Sequence, residues 1–276
     1  MHEHVDVAIV GAGPAGMAAA HRVAAAGLSC VLLDDQPAPG GQVWRGVEMV
    51  AARGDLRLFG SDYRKGVQAV RDFRAAGVDY RPESRVFGVE DRDGGGDVLY
   101  LRDAAARRLV ARKLIVAVGA YERPTPFPGW TLPGVMSIGA GQIVLKVANA
   151  APEGPFVLAG QGPLLLLYAA QLRRAGRRPD RVLLLDDPAN RWRALSDAVG
   201  AFTSRPLDVA KGLAWRARLG RVVTDVVEVS AEGGERLERV SWRRADGSGD
   251  SMSAAVLLAH DGVLPNAQLT RAMRAP

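Results

Sequence analysis

Short apolar runs alternate with helix-length amphipathic stretches along most of the chain. His4 to Val10 reads as a buried strand, and the glycine-rich stretch Gly11 to Gly16 follows it. Met17 to Ala26, rich in Ala, predicts a helix closed by Gly27, a residue favoured just past a helix C-terminus. Ser29 to Leu33 predicts a second strand that ends at Asp34. Together they form a strand–helix–strand unit of about thirty residues, with a right-handed crossover expected.

Gln36 to Gly41 is a loop of Pro and Gly, and Asp62 to Ala76 predicts a helix ending at Gly77. Tyr80 to Glu90 and Val98 to Leu101 read as strands around a turn at Asp91 to Asp97. Lys113 to Val118 is an apolar strand ending at Gly119. Pro124, Pro126, Pro128 and Pro133 mark a crossing linker, and Ser137 to Asn149 predicts a helix. The first unit then repeats weakly. Phe156 to Ala159 is a strand, Gly160-Gln161-Gly162 a turn, Leu164 to Ala175 a helix and Arg181 to Leu185 a strand. Val222 to Val229 and Leu237 to Trp242 predict a strand pair, and Ala254 to Ala259 a last strand. This alternation predicts an α/β fold built on parallel sheets.

The motif Gly11-Ala12-Gly13-Pro14-Ala15-Gly16 follows a strand and opens a helix, the context that gives a GxGxxG its meaning. Gly11 permits the tight turn, Gly13 lets a pyrophosphate approach the backbone, and Gly16 lets the helix pack against the sheet. Unpaired N–H groups and the dipole at the helix start suit phosphates. A ribose-binding acid belongs about twenty residues on. Asp34 is favoured, at the strand tip, with Asp35 beside it. A dinucleotide follows from this pattern, but the fingerprint alone does not separate FAD from NAD. The N-terminal position, the Gly40-Gly41-Gln42 stretch after the second strand and the later repeat favour FAD.

The second motif is weaker. Gly160-Gln161-Gly162-Pro163-Leu164-Leu165 carries Leu165 where a third glycine belongs, which relaxes helix–strand packing or alters the turn. Asp186, with Asp187, ends the next strand and suits a ribose diol rather than a 2′-phosphate. The second site is expected to take NAD or another adenine nucleotide, or nothing.

The chain resembles the two-dinucleotide-binding-domain flavoproteins. Among them it is most similar to the larger, FAD-binding subunits of opine oxidase, D-hydroxyproline and proline dehydrogenase, and hydrogen cyanide synthase. The segments that carry the likeness are GAGPAG, Leu33 to Gln42, Val116 to Pro124, Phe127 to Val135, and Gly262 to Asn266. The resemblance implies an FAD-binding Rossmann-like domain with an inserted NAD-binding one. The expected domains are 1–124 (first part of the FAD domain), 125–150 (crossover linker and helix), 151–250 (second dinucleotide domain) and 251–276 (return to the FAD domain, without its closing segment). It implies FAD contacts at Gly11, Gly13, Pro14, Ala15, Gly16, Asp34, Asp35, Gly40, Gly41 and Gln42. Val86 would meet adenine through its backbone, and Gly119 would lie in the crossover. It also implies an amine or imino-acid substrate and two partners, an iron–sulfur protein and a second flavoprotein subunit. A truncated nucleotide-binding scaffold and a stand-alone NADH-dependent flavin reductase are the competing readings.

Composition adds little. Of the 36 basic residues only four are Lys, and the net charge of +6 is scattered, which reads as a solvated surface rather than a nucleic-acid face. Cys30, the single cysteine, excludes an internal disulfide or a CxxC pair and reads as a buried thiol. No apolar run approaches the ~20 residues of a membrane span, no signal peptide fits before Val5, and a cytoplasmic location is expected. No metal-ligand spacing occurs among the histidines, and no catalytic residue is named. Lys146 is expected on a helix surface, and Glu122 and Arg123 in an interdomain ion pair.

Overall fold

The structure is a computed structural model, which describes Glu3–Arg92, Gly95–Leu185, Ser204 and Pro206–Met273. The chain divides into two compact units, Met1–Tyr121 with Leu264–Pro276, and Glu122–Val263.

The first unit carries a six-stranded sheet. Its strands are β1 (Glu3–Val10), β2 (Cys30–Leu33), β3 (Asp79–Arg81), β4 (Arg85–Arg92), β5 (Gly95–Arg102) and β6 (Ala105–Val116), in the order β3-β2-β1-β6-β5-β4. β1 pairs in parallel with β2 and β6, and β2 with β3. β4, β5 and β6 form an antiparallel meander. β6 is longer than the Lys113–Val118 pattern suggests because it serves both halves. Ala105–Ala111 pairs with β5, and Leu109–Val116 with β1. Ala8, Val31, Leu33, Val98, Tyr100, Leu109 and Ala111 form a buried core on this sheet.

α1 (Pro14–Ala25) begins three residues before the predicted start, with Pro14 in its first turn. Proline fits there because its missing N–H would have had no helical partner. α2 (Val47–Ala52) and α3 (Leu56–Phe59) occupy a stretch that the sequence pattern left without elements. α4 (Ser61–Ala75) follows, close to the predicted helix. Tyr80 to Glu90 is not one strand: Glu83, at φ 52°, breaks it between β3 and β4. The break has a structural use. Ser84 N–H donates to the Asp34 carbonyl (2.7 Å) and Glu83 N–H to the Gln36 carbonyl (3.2 Å), tying this turn to the acid-bearing loop.

The second unit carries a seven-stranded sheet. In chain order after β7 (Ala120–Glu122) its strands are β8 (Val135–Ser137), β9 (Phe156–Gly160), β10 (Arg181–Leu185), β11 (Val222–Glu232), β12 (Arg239–Arg244), β13 (Gly249–Ser253) and β14 (Val256–His260). Their order is β13-β12-β11-β10-β9-β14-β8. β8, β14, β9, β10 and β11 run parallel, and β11 to β13 form an antiparallel meander. β14 lies in the stretch 251–276 that was expected to return to the first domain, yet it sits between β9 and β8 of this sheet. An apolar strand reads alike whichever sheet receives it. β15 (Val263–Pro265) pairs with β7 in a short ladder.

α5 (Ile138–Ala148), α6 (Pro163–Arg174) and α7 (Pro206–Arg216) belong to this unit, and α8 (Gln268–Ala272) to the first. Ser137 caps α5, its Oγ accepting the Ala140 N–H at 3.1 Å. The proline-rich linker is pinned to the meander. Ala231 N–H donates to the Pro128 carbonyl and Leu237 N–H to that of Pro133, both at 2.8 Å. Gly129 lies so close to Ala231 that a Cβ would fall 1.9 Å from its carbonyl oxygen.

Three residues depart from expectation. Lys146 is buried rather than on the surface, and its ammonium donates to Gln142 Oε1 at 3.0 Å. Gln142 Nε2 in turn donates to Gln171 Oε1 of α6 at 3.0 Å. A polar patch between the two helices admits a side chain that spacing alone assigns to solvent. Glu122 does not pair across units. Its carboxylate meets His260 and the Gly139 N–H, and Arg123 lies 3.9 Å from Asp261, all within the second unit.

Candidate functional site

Open α/β sheets bind ligands outside the carboxyl ends of their strands, where strand order reverses. In the first unit that point lies between β1, whose chain continues through α1 to β2, and β6 on its other side. The glycine turn sits there. Gly11, at φ 102°, donates its N–H to the Leu33 carbonyl at 2.8 Å. A Cβ on Gly11 would lie 2.4 Å from the Ala117 oxygen, and one on Gly16 only 1.8 Å from the Gly11 oxygen. Both positions are therefore restricted to glycine by close backbone packing. Gly13 differs: a Cβ there would meet nothing nearer than Gly41 Cα at 3.9 Å. Its bare backbone heads α1 and faces open space, the arrangement a pyrophosphate needs. Pro14 and Ala15 open the helix, Ala15 with its side chain exposed.

The loop after β2 closes over this turn. Gly40 N–H donates to the Ala12 carbonyl at 2.8 Å, and Gly41, at φ 56°, leaves only 2.8 Å between its notional Cβ and Gly13 Cα. Gln42 next to it is exposed. Asp34 is buried, and the backbone N–H groups of Gln36, Ala12 and Asp35 are near enough to its carboxylate to favour its ionised form. The Ala12 N–H among them belongs to the glycine turn, so the carboxylate lies beside that turn. Oδ2 of Asp34 is buried without a donor. Burial is the main reason that its carboxyl pKa is pushed up to about 6, with Asp35 adding to the rise and the nearby backbone N–H groups opposing it. A sugar hydroxyl is the kind of donor that this oxygen lacks, so the residues present fit the ribose and pyrophosphate of FAD. Asp35 itself is exposed and accepts the Gln36 side-chain amide at 2.8 Å.

Val86 is half-buried in β4, opposite Tyr100 and beside a bulge before Gly88. Gly119, at φ 69°, follows β6 and accepts the Asn266 N–H at 2.9 Å. Cys30 is half-buried, and burial raises its pKa to about 11, so it stays a thiol at neutral pH.

In the second unit the reversal lies between β9, which continues through α6 to β10, and β14. A cleft of about 1060 Å³ opens there, lined by Gly160, Leu185, Ala259, His260 and Asp261 at the strand ends. The linker from Arg123 to Pro128 and the meander residues Val229, Trp242 and Arg243 form its other walls. Gly160, at φ 139°, has no room for a side chain, since a Cβ would lie 1.9 Å from the His260 oxygen. Gly162, at φ 86°, has open space around it. Leu165, in the third glycine position, is fully buried in α6, so this turn packs by a side chain instead of close backbone. Asp186 lies outside the described residues.

The sequence pattern missed one cluster on the cleft wall. His260 Nδ1 lies 2.6 Å from Glu122 Oε1, and Glu122 Oε2 accepts the Gly139 N–H at 2.8 Å. Asp261 accepts Thr125 Oγ1 at 2.7 Å and Gln161 Nε2 at 3.2 Å. These partners lie far apart in sequence, and no local spacing signals them. Among the described residues no group of three His, Cys, Asp or Glu could hold a metal ion, and no helix is long and apolar enough to cross a membrane.

Two α/β units with glycine turns at their strand-order reversals define a dinucleotide-binding oxidoreductase fold. The family model of pyridine nucleotide-disulphide oxidoreductases matches residues 5–275, and the chain belongs to that FAD-binding oxidoreductase family. It is 40% identical over 283 residues to an opine oxidase component of Agrobacterium tumefaciens, covering 99% of this chain and 55% of that protein. It is 43% identical over 175 residues to the hydrogen cyanide synthase component HcnB of Pseudomonas aeruginosa, covering 62% of this chain and 36% of that one. The chain thus spans about half the length of the opine oxidase subunits that it matches. Among solved structures, L-proline dehydrogenase from P. horikoshii shares the fold, with a TM-score of 0.66 at 21% identity over 99% of this chain and 45% of that one.

Proposed function

We propose that this chain is the FAD-binding part of an oxidoreductase subunit that passes electrons from an amine or imino-acid substrate through flavin. The observation that carries the reading is the cradle of the first unit: bare backbone at Gly13 beside a buried Asp34 oxygen that lacks a donor. Gly11, Gly13, Pro14, Ala15 and Gly16 would border the pyrophosphate. Asp34, with Asp35 beside it, would take the ribose hydroxyls. Gly40, Gly41 and Gln42 would border the cofactor from the adjoining loop, Val86 would meet adenine, and Gly119 would lie toward the crossover. Bound FAD supplies a two-electron acceptor, and the protein supplies binding, orientation and electrostatics. Gly160, Gly162 and Asp186 would hold NAD or another adenine nucleotide in the second unit. The relatives named as subunits of opine oxidase and hydrogen cyanide synthase support an amine-type substrate and a multi-subunit enzyme. Its other members would be an iron–sulfur protein and a second flavoprotein subunit.

The test is absorbance of the purified chain. Bands near ~370 and ~450 nm, bleached anaerobically by an imino acid in the presence of the second flavoprotein, are expected. A colourless protein that takes up no added FAD would sink the proposal.

A further inference from the structure

We propose that Arg123 is the cation that meets the diphosphate of an adenine nucleotide at the second glycine turn. The proposal rests on reading the cleft of the second unit as a nucleotide site, and it names the side chain that supplies the positive charge there.

The end of β14 fastens Arg123 and the turn to the same three residues. Gln161, inside the turn, donates its N–H to the His260 carbonyl at 3.2 Å. Arg123 donates its own N–H to the Gly262 carbonyl at 3.0 Å. Asp261 lies between these anchors in the chain, and its carboxylate repeats the link through side chains. Oδ1 accepts Gln161 Nε2 at 3.2 Å, and Oδ2 accepts Thr125 Oγ1 at 2.7 Å. The Arg123 guanidinium stands 3.9 Å from that same Oδ2. Backbone and side chains therefore both hold Arg123 beside the glycine turn.

At 3.9 Å the contact with Asp261 is an ion pair without a hydrogen bond. Both Asp261 oxygens already accept better-placed donors, and the guanidinium makes no hydrogen bond among the described residues. The side chain is half exposed and borders the cleft. A guanidinium carries five N–H donors in a planar fork that matches a phosphate, and such charge-assisted bonds are roughly twice as strong as neutral ones. Arg123 thus has a fixed root and an uncommitted head.

An anion at this turn needs that head. The turn offers backbone: Gly162 has open space around it and leads directly into α6. Asp261 brings a negative charge, which repels a phosphate unless a cation offsets it. The other basic side chains of the cleft are committed elsewhere. Arg243 forms an ion pair with Glu228 on the meander, and the buried His260 ring is turned to Glu122. Phe127, Leu185, Val229 and Trp242 make the walls beyond the strand ends apolar, which leaves the charged part of a ligand at the rim beside Arg123.

The test is calorimetry of ADP-ribose and of ADP, at low and at high salt, on the chain with saturating FAD to keep both probes off the first site. Wild type should bind and lose affinity as salt rises. Arg123→Gln should bind each probe about tenfold more weakly at low salt, with a shallower salt dependence and unchanged flavin absorbance. Arg123→Lys keeps the charge but not the fork, so it should lose less affinity and keep the wild-type salt dependence. This second variant holds the proposal to account should Arg123→Gln fail to fold. Tighter ADP-ribose than ADP makes the ligand a dinucleotide, and the reverse a nucleoside diphosphate; the loss in Arg123→Gln supports the proposal in either case. Unchanged affinity and salt dependence in Arg123→Gln, or the same loss of both in Arg123→Lys as in Arg123→Gln, overturns the proposal and leaves the nucleotide site standing. No binding of either probe by wild type removes the site and the proposal together.

Discussion

Asp34→Asn separates what this residue costs the fold from what it does for a cofactor. Burial raises the Asp34 carboxyl to about 6 from the 3.8 of an exposed aspartate. The folded state therefore holds its proton more tightly than the unfolded chain does. Stability from this group is full below pH 3.8 and is lost as pH rises through 6. At neutral pH the ionised carboxylate costs about 2 kcal/mol once partial solvent screening is allowed for. Asparagine keeps a carbonyl oxygen facing the nearby backbone N–H groups of Ala12, Asp35 and Gln36 but carries no charge. It also places a buried amide donor where Oδ2 stood, at a cost that does not vary with pH. The diagnostic is thus the pH dependence of the difference between the two proteins. In urea unfolding without flavin, Asp34→Asn should gain about 2 kcal/mol on wild type between pH 4 and pH 7.5. Its affinity for FAD should fall about 10- to 100-fold, the loss of one hydrogen bond to a charged acceptor. A stability difference that is flat with pH, or an unchanged FAD affinity, would refute the reasoning.

Gly16→Ala should lose about 3 kcal/mol or more, measured by denaturant unfolding, because its methyl group would lie 1.8 Å from the Gly11 oxygen. Gly162→Ala has room for its methyl group but forces alanine into backbone angles that favour glycine, and should cost the fold about 1–3 kcal/mol. Its affinity for ADP-ribose should nevertheless drop at least tenfold, as read by calorimetry. Cys30, with its pKa at about 11, should resist iodoacetamide at pH 8 and react faster as pH rises, followed by mass spectrometry.

Local geometry was legible in the sequence where it depends on short spacing. The turn from Gly11 to Gly16 and the acid at Asp34 are read from a strand, a helix start and a fixed separation. The structure brings the Asp34 carboxylate within reach of the Ala12 N–H of that turn. The break at Glu83 was hidden because the apolar pattern continues on both sides of it, and a positive φ in a non-glycine residue leaves no mark on that pattern. β14 reads as a buried strand, but which sheet receives it depends on packing rather than composition. Lys146 was assigned to solvent by its type, while its burial follows from Gln142 and Gln171 on two helices. Glu122 and His260 are 138 residues apart, and only the folded sheet makes them neighbours.

Flavin selectivity bears most directly on the role given to the first glycine turn. The purified chain should be dialysed to equilibrium against FAD, FMN or riboflavin in turn, and the bound flavin counted. A site built around a ribose-binding carboxylate and a bare pyrophosphate cradle should retain one FAD per chain and should discriminate strongly against the two flavins that lack the adenosine half. Equal retention of FMN and FAD, or no retention of FAD at all, would contradict it.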